Sequence, residues 1–439
     1  MDKLVIQGHQ PLVGSLPVSG SKNTALPLMA AAVLADGQTR LSNIPNLRDV
    51  ATFANVIRIS GAAVRFDADE HSMVVDAGNV HHPEAPYDLV KKMRASFYML
   101  GALLGRCGRA RVSLPGGCAW GPRPVDLHIE GMKAFGARID LDEGYVVAEA
   151  AGGRLEGGSF KMEPSSVGAT INLLLAAVTA RGSSRIENAA REPDVVVFGK
   201  MLQAMGARIS GLGTSTLEIE GVDALSPVDF NNAPDRIELG TFMIAAALCG
   251  EPGQVVRMTD ADPDDLGEAF IEAFRQTGTE FTLGKDYVDV IASEEIEPVS
   301  IETGVFPGFP TDLQAQWTVL MTQAKGNARI RDTIYFDRFK HIPELRRMAA
   351  NAIVVQNEVV VEGTSALQAA TVMSTDLRAS VSLVLAAMVA KGETHVLRVY
   401  HLDRGYENLD GKLANAGISI RREQYDEFAS STPEELRSE

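Results

Sequence analysis

The chain has 439 residues, 45% of them hydrophobic, and its 41 Lys and Arg against 57 Asp and Glu give a formal net charge of −16. This length exceeds one ordinary core and suits two domains of about 200 residues each, while the acidic balance disfavours a nucleic-acid backbone or an anionic membrane as partner. The longest apolar runs, such as residues 26–35, are too short to span a bilayer, and no basic segment precedes an apolar one at the N-terminus, so a cytoplasmic chain without a signal peptide is expected.

Two strand-like pieces, residues 4–6 and 16–18, come first and are expected to pair with the C-terminal half. From Lys22 onward one pattern repeats. An apolar helix ends at a glycine, a short strand follows, then a polar crossing, a second helix, and a Gly-Ala pair before another strand. The marker glycines are Gly37, Gly108, Gly182, Gly253, Gly326 and Gly392, separated by 71, 74, 71, 73 and 66 residues. Such a glycine closes a helix in the left-handed conformation and turns the chain into the strand. Gly61-Ala62, Gly136-Ala137, Gly206-Ala207, Gly278 and Gly417 mark the second turn, with a degenerate Ala350-Asn351 in the fifth copy. A single unit buries little, so six units predict an α/β protein of two domains with three repeated units each. The break is expected near residues 228–235, where Pro227, Asn231, Asn232 and Pro234 interrupt the pattern. From about Gln424 the chain is acidic and poor in apolar residues, and reads as a mobile tail.

Chemistry-bearing residues interrupt this pattern at a few places. Lys22, in Gly20-Ser21-Lys22-Asn23-Thr24, precedes an apolar helix that Ser21 or Thr24 can cap. A lysine opposes the helix dipole there unless an anion shares the site, so it is either a solvated turn residue or an anion ligand. The stretch Pro115-Gly116-Gly117-Cys118-Ala119-Trp120-Gly121-Pro122-Arg123-Pro124-Val125-Asp126 holds three prolines and three glycines in twelve residues, with a free cysteine. It is either an ordinary turn or a functional loop whose thiol Arg123 activates. His128 follows it, but spacing gives no base-and-orienter pair for a protease-type thiol. Asp312, in Phe309-Pro310-Thr311-Asp312, falls at a helix start, as an N-cap or as a general base in a closed cleft. Asp376-Leu377-Arg378 and the charged run from Arg398 to Lys412, with Asp403-Arg404-Gly405-Tyr406-Glu407, complete the set. Lysine and arginines at equivalent ends of different repeats suggest a site for a polyanionic ligand, assembled between units. Cys107 and Cys249 sit near helix ends and read as small buried hydrophobes. An odd cysteine count without a C-x-x-C pair, and histidines without ligand spacing, predict no disulfide scaffold and no metal site. No P-loop or dinucleotide fingerprint is present.

Taken together, these motifs resemble the UDP-N-acetylglucosamine enolpyruvyl transferases over about residues 1–422. The match includes Gly20-Ser21-Lys22-Asn23, Met93-Arg94-Ala95-Ser96, the Cys118 loop through His128, Ser166-Val167-Gly168-Ala169-Thr170, Phe309-Pro310-Thr311-Asp312, Asp337-Arg338-Phe339, Asp376-Leu377-Arg378 and Asp403-Arg404-Gly405-Tyr406-Glu407. The shikimate-phosphate enolpyruvyl transferases share the fold but lack this cysteine loop. The resemblance implies an inside-out α/β barrel in each of two domains, one of residues 21–230 and one of residues 1–20 plus 231–422, leaving 423–439 as the acidic tail. It implies transfer of the enolpyruvyl group of phosphoenolpyruvate to the 3-hydroxyl of the UDP-sugar with release of phosphate, the first committed step of peptidoglycan synthesis, without metal or organic cofactor.

The resemblance also assigns roles. Cys118 protonates the methylene carbon of phosphoenolpyruvate and forms a covalent adduct; it is also the expected site of alkylation by fosfomycin. Asp312 takes or orients the proton of the sugar hydroxyl. Lys22, Arg123 and Arg404 hold the phosphate, Asn23 holds the intermediate, and Arg94, Arg378 and Lys412 complete the anion field. The nucleotide sugar is expected on Arg94, Arg123, Pro124, Val125, Asp126, Leu127, Ser166, Val167, Gly168, Asp312 and Ile334, with Arg338 and Asp376 as supports. Two departures stand out. Glu163-Pro164-Ser165 occupies the stretch where some members carry a lysine that would face the UDP phosphates, and Trp120 replaces a smaller aliphatic residue. Transfer to shikimate 3-phosphate, or nucleotide-sugar binding without turnover, are the competing readings.

Overall fold

The computed structural model describes residues 1–91, 93–115 and 125–426. Each repeat opens on a helix that is buried on nearly every side, because its sequence has no polar stripe. These inner helices are Lys22–Ala32, Met99–Cys107 and Val167–Ala177 in one half, and Arg236–Cys249, Gln314–Thr322 and Leu377–Val389 in the other. Each set of three packs together. Two separate cores result: one draws on residues between Ala25 and Leu225, the other on Leu4, Ile6, Leu12, Leu16 and Val18 together with residues from Ile237 to Ile418. The second helix of each unit is amphipathic and lies outside; Glu268–Gln276 buries only Phe270, Ala273 and Phe274, one stripe at helical spacing.

The marker glycines all have positive φ, but only Gly108 caps its helix; Gly37, Gly182, Gly253, Gly326 and Gly392 stand beyond their helix ends, at the entry to the strand. At Gly108 the left-handed residue (φ 67°) caps Met99–Cys107, and the chain enters the strand Arg109–Ser113 at once. The fifth unit differs from its expected Ala350-Asn351 marker. The left-handed residue is Ala349 (φ 66°), one position earlier, and Ala350 is buried behind it. An alanine there carries a backbone cost of about 1 kcal/mol that glycine avoids.

Among the described residues the strands form six four-stranded sheets of one design. In the second unit, Glu84–Ala85 lies parallel to Arg109–Ser113, which pairs antiparallel with Tyr145–Ala150, and that strand with Ala137–Asp142. The parallel edge strand always comes from the chain leaving the preceding unit. Ser159–Lys161 joins Ser183–Glu187, and Asp229–Asn231, leaving the third unit, returns to Gln38–Ser42 of the first. That return closes a ring of three. In the other half, Ile301–Glu302 joins Ala328–Arg331, Thr371–Met373 joins Glu393–Leu397, and the ring is closed by Gly14–Pro17 on Val255–Thr259. The sixth sheet is completed by the chain's own beginning: Asp2–Gln7 lies between Glu393–Leu397 and Ile420–Gln424. Both N-terminal pieces thus pair with C-terminal strands. The last strand takes in two residues of the stretch expected as tail, because Gln424 pairs with Asp2 and the Tyr425 N–H reaches the Met1 carbonyl. The part of that tail at 427–439 lies outside the described residues.

The chain passes between the two cores twice, and the two passages run side by side. The Ser21 N–H donates to the Ala233 carbonyl at 2.7 Å and the Asp235 N–H to the Ser19 carbonyl at 2.8 Å. Asn232 Nδ2 donates to the carbonyls of Ser21 and Asn43, each at 3.0 Å. Gly20 has no room for a side chain, since a Cβ would lie 1.8 Å from the Asn43 carbonyl oxygen.

Among the described residues no helix is long and apolar enough to cross a membrane. Cys107 and Cys249 do end inner helices, but both are half-buried rather than fully enclosed. Burial raises both thiols, that of Cys249 to about 12, so neither is a reactive thiolate at neutral pH.

Near the passages, the carboxyl of Asp265 is raised to about 7, first by burial and then by the facing charges of Asp262 and Asp194, against the pull of Arg236 and Lys200. The folded state therefore holds a proton that the unfolded chain releases near 3.8. Stability is expected to fall as pH rises from about 4 to about 7 and to level off above. Thermal melts of the native protein and of Asp265→Asn across that window check this; the variant should lose part of the slope.

Candidate active site

Lys22 is the first residue of its helix, and Ser21 caps that helix by accepting the Thr24 N–H at 3.2 Å. The lysine does not point to solvent. Its Nζ lies 3.4 Å from Asp49 Oδ2, and Asp49 Oδ1 accepts from Arg404 Nε at 2.9 Å. Asp49, on the outer helix Arg48–Ile59, is 5% exposed and belongs to the first core's half, whereas Arg404 belongs to the other. One buried carboxylate thus joins two cations across the domains, and Glu407 accepts the Asn46 N–H at 2.8 Å beside it. Burial, followed by the charges of Arg378 and Arg404, lowers the Lys22 ammonium pKa, with Asp49 acting the other way.

Asp312 sits in a single turn, Thr311–Leu313, just before the helix Gln314–Thr322. It does not cap that helix with its side chain. Instead its two carboxylate oxygens accept separately from Arg338 Nη2 at 2.7 Å and Arg378 Nη2 at 2.8 Å. Burial opposes its ionisation, but the two guanidiniums outweigh burial and hold the carboxyl well below the usual range. Arg338 also donates to Thr311 Oγ1, whose hydroxyl donates to the fully buried Asp332 at 2.6 Å. Asp332 Oδ1 accepts the N–H groups of Ile334 and Tyr335, each at 2.9 Å, and so fixes the turn that carries Ile334. Asp376 caps Leu377–Val389 through the N–H groups of Arg378 and Ala379 at 2.9 and 3.1 Å, which aims Arg378 at Asp312 and at the Tyr406 hydroxyl, 3.3 Å away.

The structure therefore gathers Lys22, Asp312, Arg338, Arg378 and Arg404 into one field of charge. Lys412 Nζ donates to Ser19 Oγ at 2.6 Å and to the buried Glu238 at 2.9 Å. Arg94 opens the turn Arg94–Tyr98, and Asn23 lies half-buried beside Lys22. Val125 precedes the helix Asp126–Ala134; Asp126 is exposed and Leu127 half-buried. Ser166 caps Val167–Ala177 by accepting the Ala169 N–H at 3.3 Å, leaving the first turn, with Val167 and Gly168, half-buried. Cys118, Trp120, Arg123 and Pro124 lie outside the described residues.

Sequence reasoning missed Asp49, Asp194 and Arg236. Asp194 accepts from Ser21 Oγ at 3.3 Å, Thr24 Oγ1 at 3.0 Å and Arg236 Nε at 3.2 Å, a buried ion pair between the domains. Each aspartate stands in the first turn of a helix, where acidic residues are common for reasons of dipole alone. Among the described residues no group of three or more His, Cys, Asp or Glu is placed to hold a metal ion.

The geometry can be set beside known proteins. The family model described as EPSP synthase (3-phosphoshikimate 1-carboxyvinyltransferase) matches residues 6–413. The chain is 53% identical over 98% of its length to a UDP-N-acetylglucosamine 1-carboxyvinyltransferase of Chloroherpeton thalassium, covering 99% of that protein. It is 51% identical over 98% of its length to the protein of the same name from Chlorobaculum parvum, covering all of it. Among solved structures, the enolpyruvyl transferase NikO from Streptomyces tendae superposes with a TM-score of 0.88 at 27% identity, covering 97% of this chain and 99% of that one. An EPSP synthase from Acinetobacter baumannii superposes with a TM-score of 0.75 at 16% identity over 97% of this chain and all of that one, a likeness of fold alone. The two-domain fold of six α/β units is thus that of the enolpyruvyl transferases, and the chain belongs to the UDP-N-acetylglucosamine 1-carboxyvinyltransferases within that family.

Proposed function

We infer that this chain transfers the enolpyruvyl group of phosphoenolpyruvate to the 3-hydroxyl of UDP-N-acetylglucosamine by addition and elimination, in the cytoplasm, at the first committed step of peptidoglycan synthesis. The observation that carries this reading is the identity of about half the residues across 98% of the chain with proteins of that name. The charge field supports it. Phosphoenolpyruvate brings a phosphate and a carboxylate, and Lys22, Arg378 and Arg404 offer cations from both domains to meet them; the family resemblance adds Arg94, and Arg123, which lies outside the described residues, to the same task.

Asp312 is a weak base while two guanidiniums hold it. An anionic substrate that draws Arg378 toward itself removes one of them and raises the carboxylate's proton affinity when the sugar hydroxyl is in place. The hydroxyl oxygen then bonds to C2 of phosphoenolpyruvate, its proton passes to Asp312, and the Cys118 thiol protonates C3. Elimination removes a proton from the new methyl group as the C–O bond to phosphate breaks, leaving the enol ether and inorganic phosphate. Arg338 and Asp376 act as supports, and Asn23 holds the tetrahedral intermediate. Val125, Asp126, Leu127, the turn from Ser166 to Gly168, and Ile334 form the nucleotide-sugar surface.

Phosphate release from phosphoenolpyruvate should require UDP-N-acetylglucosamine and should not respond to shikimate 3-phosphate. Release with the shikimate acceptor, or none with either, would overturn the assignment. Incubation with fosfomycin and the UDP-sugar should add one drug mass to the intact protein, and Cys118→Ala should show no addition. An unchanged native mass rejects Cys118 as the alkylated group.

A further inference from the structure

One buried polar group next to the nucleotide-sugar surface has no partner among the described residues. His128, in the helix Asp126–Ala134, is 3% exposed, and its Nε2 is enclosed without a hydrogen bond. Its Nδ1 meets Asn172 Nδ2 at 2.9 Å. The orientation of that amide is fixed from outside the pair. The Gly101 N–H donates to Asn172 Oδ1 at 2.7 Å, and Nδ2 also donates to the Phe97 carbonyl at 3.0 Å. An amide held in this way presents only hydrogens to the imidazole, so Nδ1 must accept and the ring proton must sit on Nε2. The Phe97 ring packs edge-on at 5.2 Å and holds the plane. Burial, then the charge of Arg94, pulls the imidazole down to about 3, which agrees with a ring that stays neutral.

The Nε2–H is therefore a fixed donor, and it faces the start of Val167–Ala177: the space a Cβ on Gly168 would fill lies 3.5 Å from Nε2 and 3.4 Å from Cε1. A buried donor left unsatisfied is costly, and such groups in folded proteins have a reason to persist. The first turn of that helix also presents backbone N–H groups and the positive end of its dipole. On the approach to the turn Glu163 is exposed, and Lys161, also exposed, is paired to it at 2.6 Å.

We propose that His128 is a tautomer-locked hydrogen-bond donor to a diphosphate oxygen of the nucleotide sugar, held in that role by Asn172. This rests on the nucleotide-sugar reading of the site. It makes His128 a binding and positioning residue, and removes it from acid–base chemistry.

The test uses the full-length protein. His128→Phe keeps the ring volume and removes the donor; His128→Gln keeps an amide N–H near the position of Nε2. His128→Phe should raise the KM for UDP-N-acetylglucosamine about tenfold or more, leave the KM for phosphoenolpyruvate and kcat within about twofold, and be partly rescued in His128→Gln. Calorimetric titration with UDP alone should show the same ranking, which tests the contact even if transfer activity is absent. In ¹⁵N-histidine spectra, the signal missing from His128→Phe should report a proton on Nε2 with and without UDP, unchanged between about pH 6 and pH 9. Equal loss toward both substrates, a loss of melting temperature with UDP affinity intact, a proton on Nδ1, titration near neutrality, or a native protein that does not bind UDP would each overturn the proposal.

Discussion

Asp312→Asn should lower kcat by about 10³-fold, within the range that a general base contributes. The amide cannot take the proton of the sugar hydroxyl, and it cannot serve both guanidiniums. Arg338 Nη2 and Arg378 Nη2 each use one carboxylate oxygen, and an asparagine offers one acceptor and one donor in their place. The displaced arginine is left facing an N–H. Removing one member of a buried ion cluster costs about 3–5 kcal/mol, and the lower end applies here because the Asp312 side chain keeps 28% exposure. The same clamp makes stability depend on acid. With its carboxyl held well below 3.8 in the folded state, Asp312 contributes stability that is complete above the unfolded value and is lost as pH falls through the folded one. Phosphate-release kinetics and melting curves read the two effects separately. A variant within about tenfold of native kcat would remove Asp312 from the proton path.

The second large effect is expected at the passages between domains. Asp194→Leu strands the guanidinium of Arg236, whose side chain is 12% exposed, and takes away the acceptor of the Ser21 and Thr24 hydroxyls. The expected loss is about 3–5 kcal/mol of stability, with Arg236→Met on the same chain restoring more than 1 kcal/mol of it. Because Lys22 follows Ser21 directly, Asp194→Leu should also raise the KM for phosphoenolpyruvate. Strict additivity in the double variant would show that the pair does not couple the domains.

The six-unit plan was legible because its punctuation is chemical. A positive-φ turn into the strand takes glycine at every copy, so the period survives where the strands are too short to show one. Glu84–Ala85 and Ile301–Glu302 have two residues each, and no alternation can be read from two residues. Those two strands link neighbouring units within each ring, and these links were hidden for that reason. The fifth unit was misplaced by one residue because Ala349 carries a glycine's conformation without being one. At the site, charged residues that broke an apolar pattern were visible: Lys22, Asp312, Arg378 and Arg404. Asp49 was not, since its partner Arg404 lies 355 residues away and an aspartate in a first helical turn already has a local explanation. Lys412, expected in the anion field from the resemblance, has a partner that spacing could not show, Glu238 of another inner helix.

The seat taken by Asp2–Gln7 has a consequence for how the chain is made. At a synthesis rate of about 5–20 residues per second, this strand leaves the ribosome tens of seconds before its neighbours Glu393–Leu397 and Ile420–Gln424 exist. The ring built on the first core is complete as soon as Asp229–Asn231 emerges, and can fold while translation continues. The other ring waits for Glu393–Leu397 and Ile420–Gln424, with Leu4, Val5 and Ile6, fully enclosed in the finished protein, still lacking a partner. An apolar strand with open edges is what holding chaperones bind and what aggregates when they do not. The newborn chain is therefore half folded and half exposed until Ile420–Gln424 emerges, and the strand Asp2–Gln7 is among the last parts to find its place.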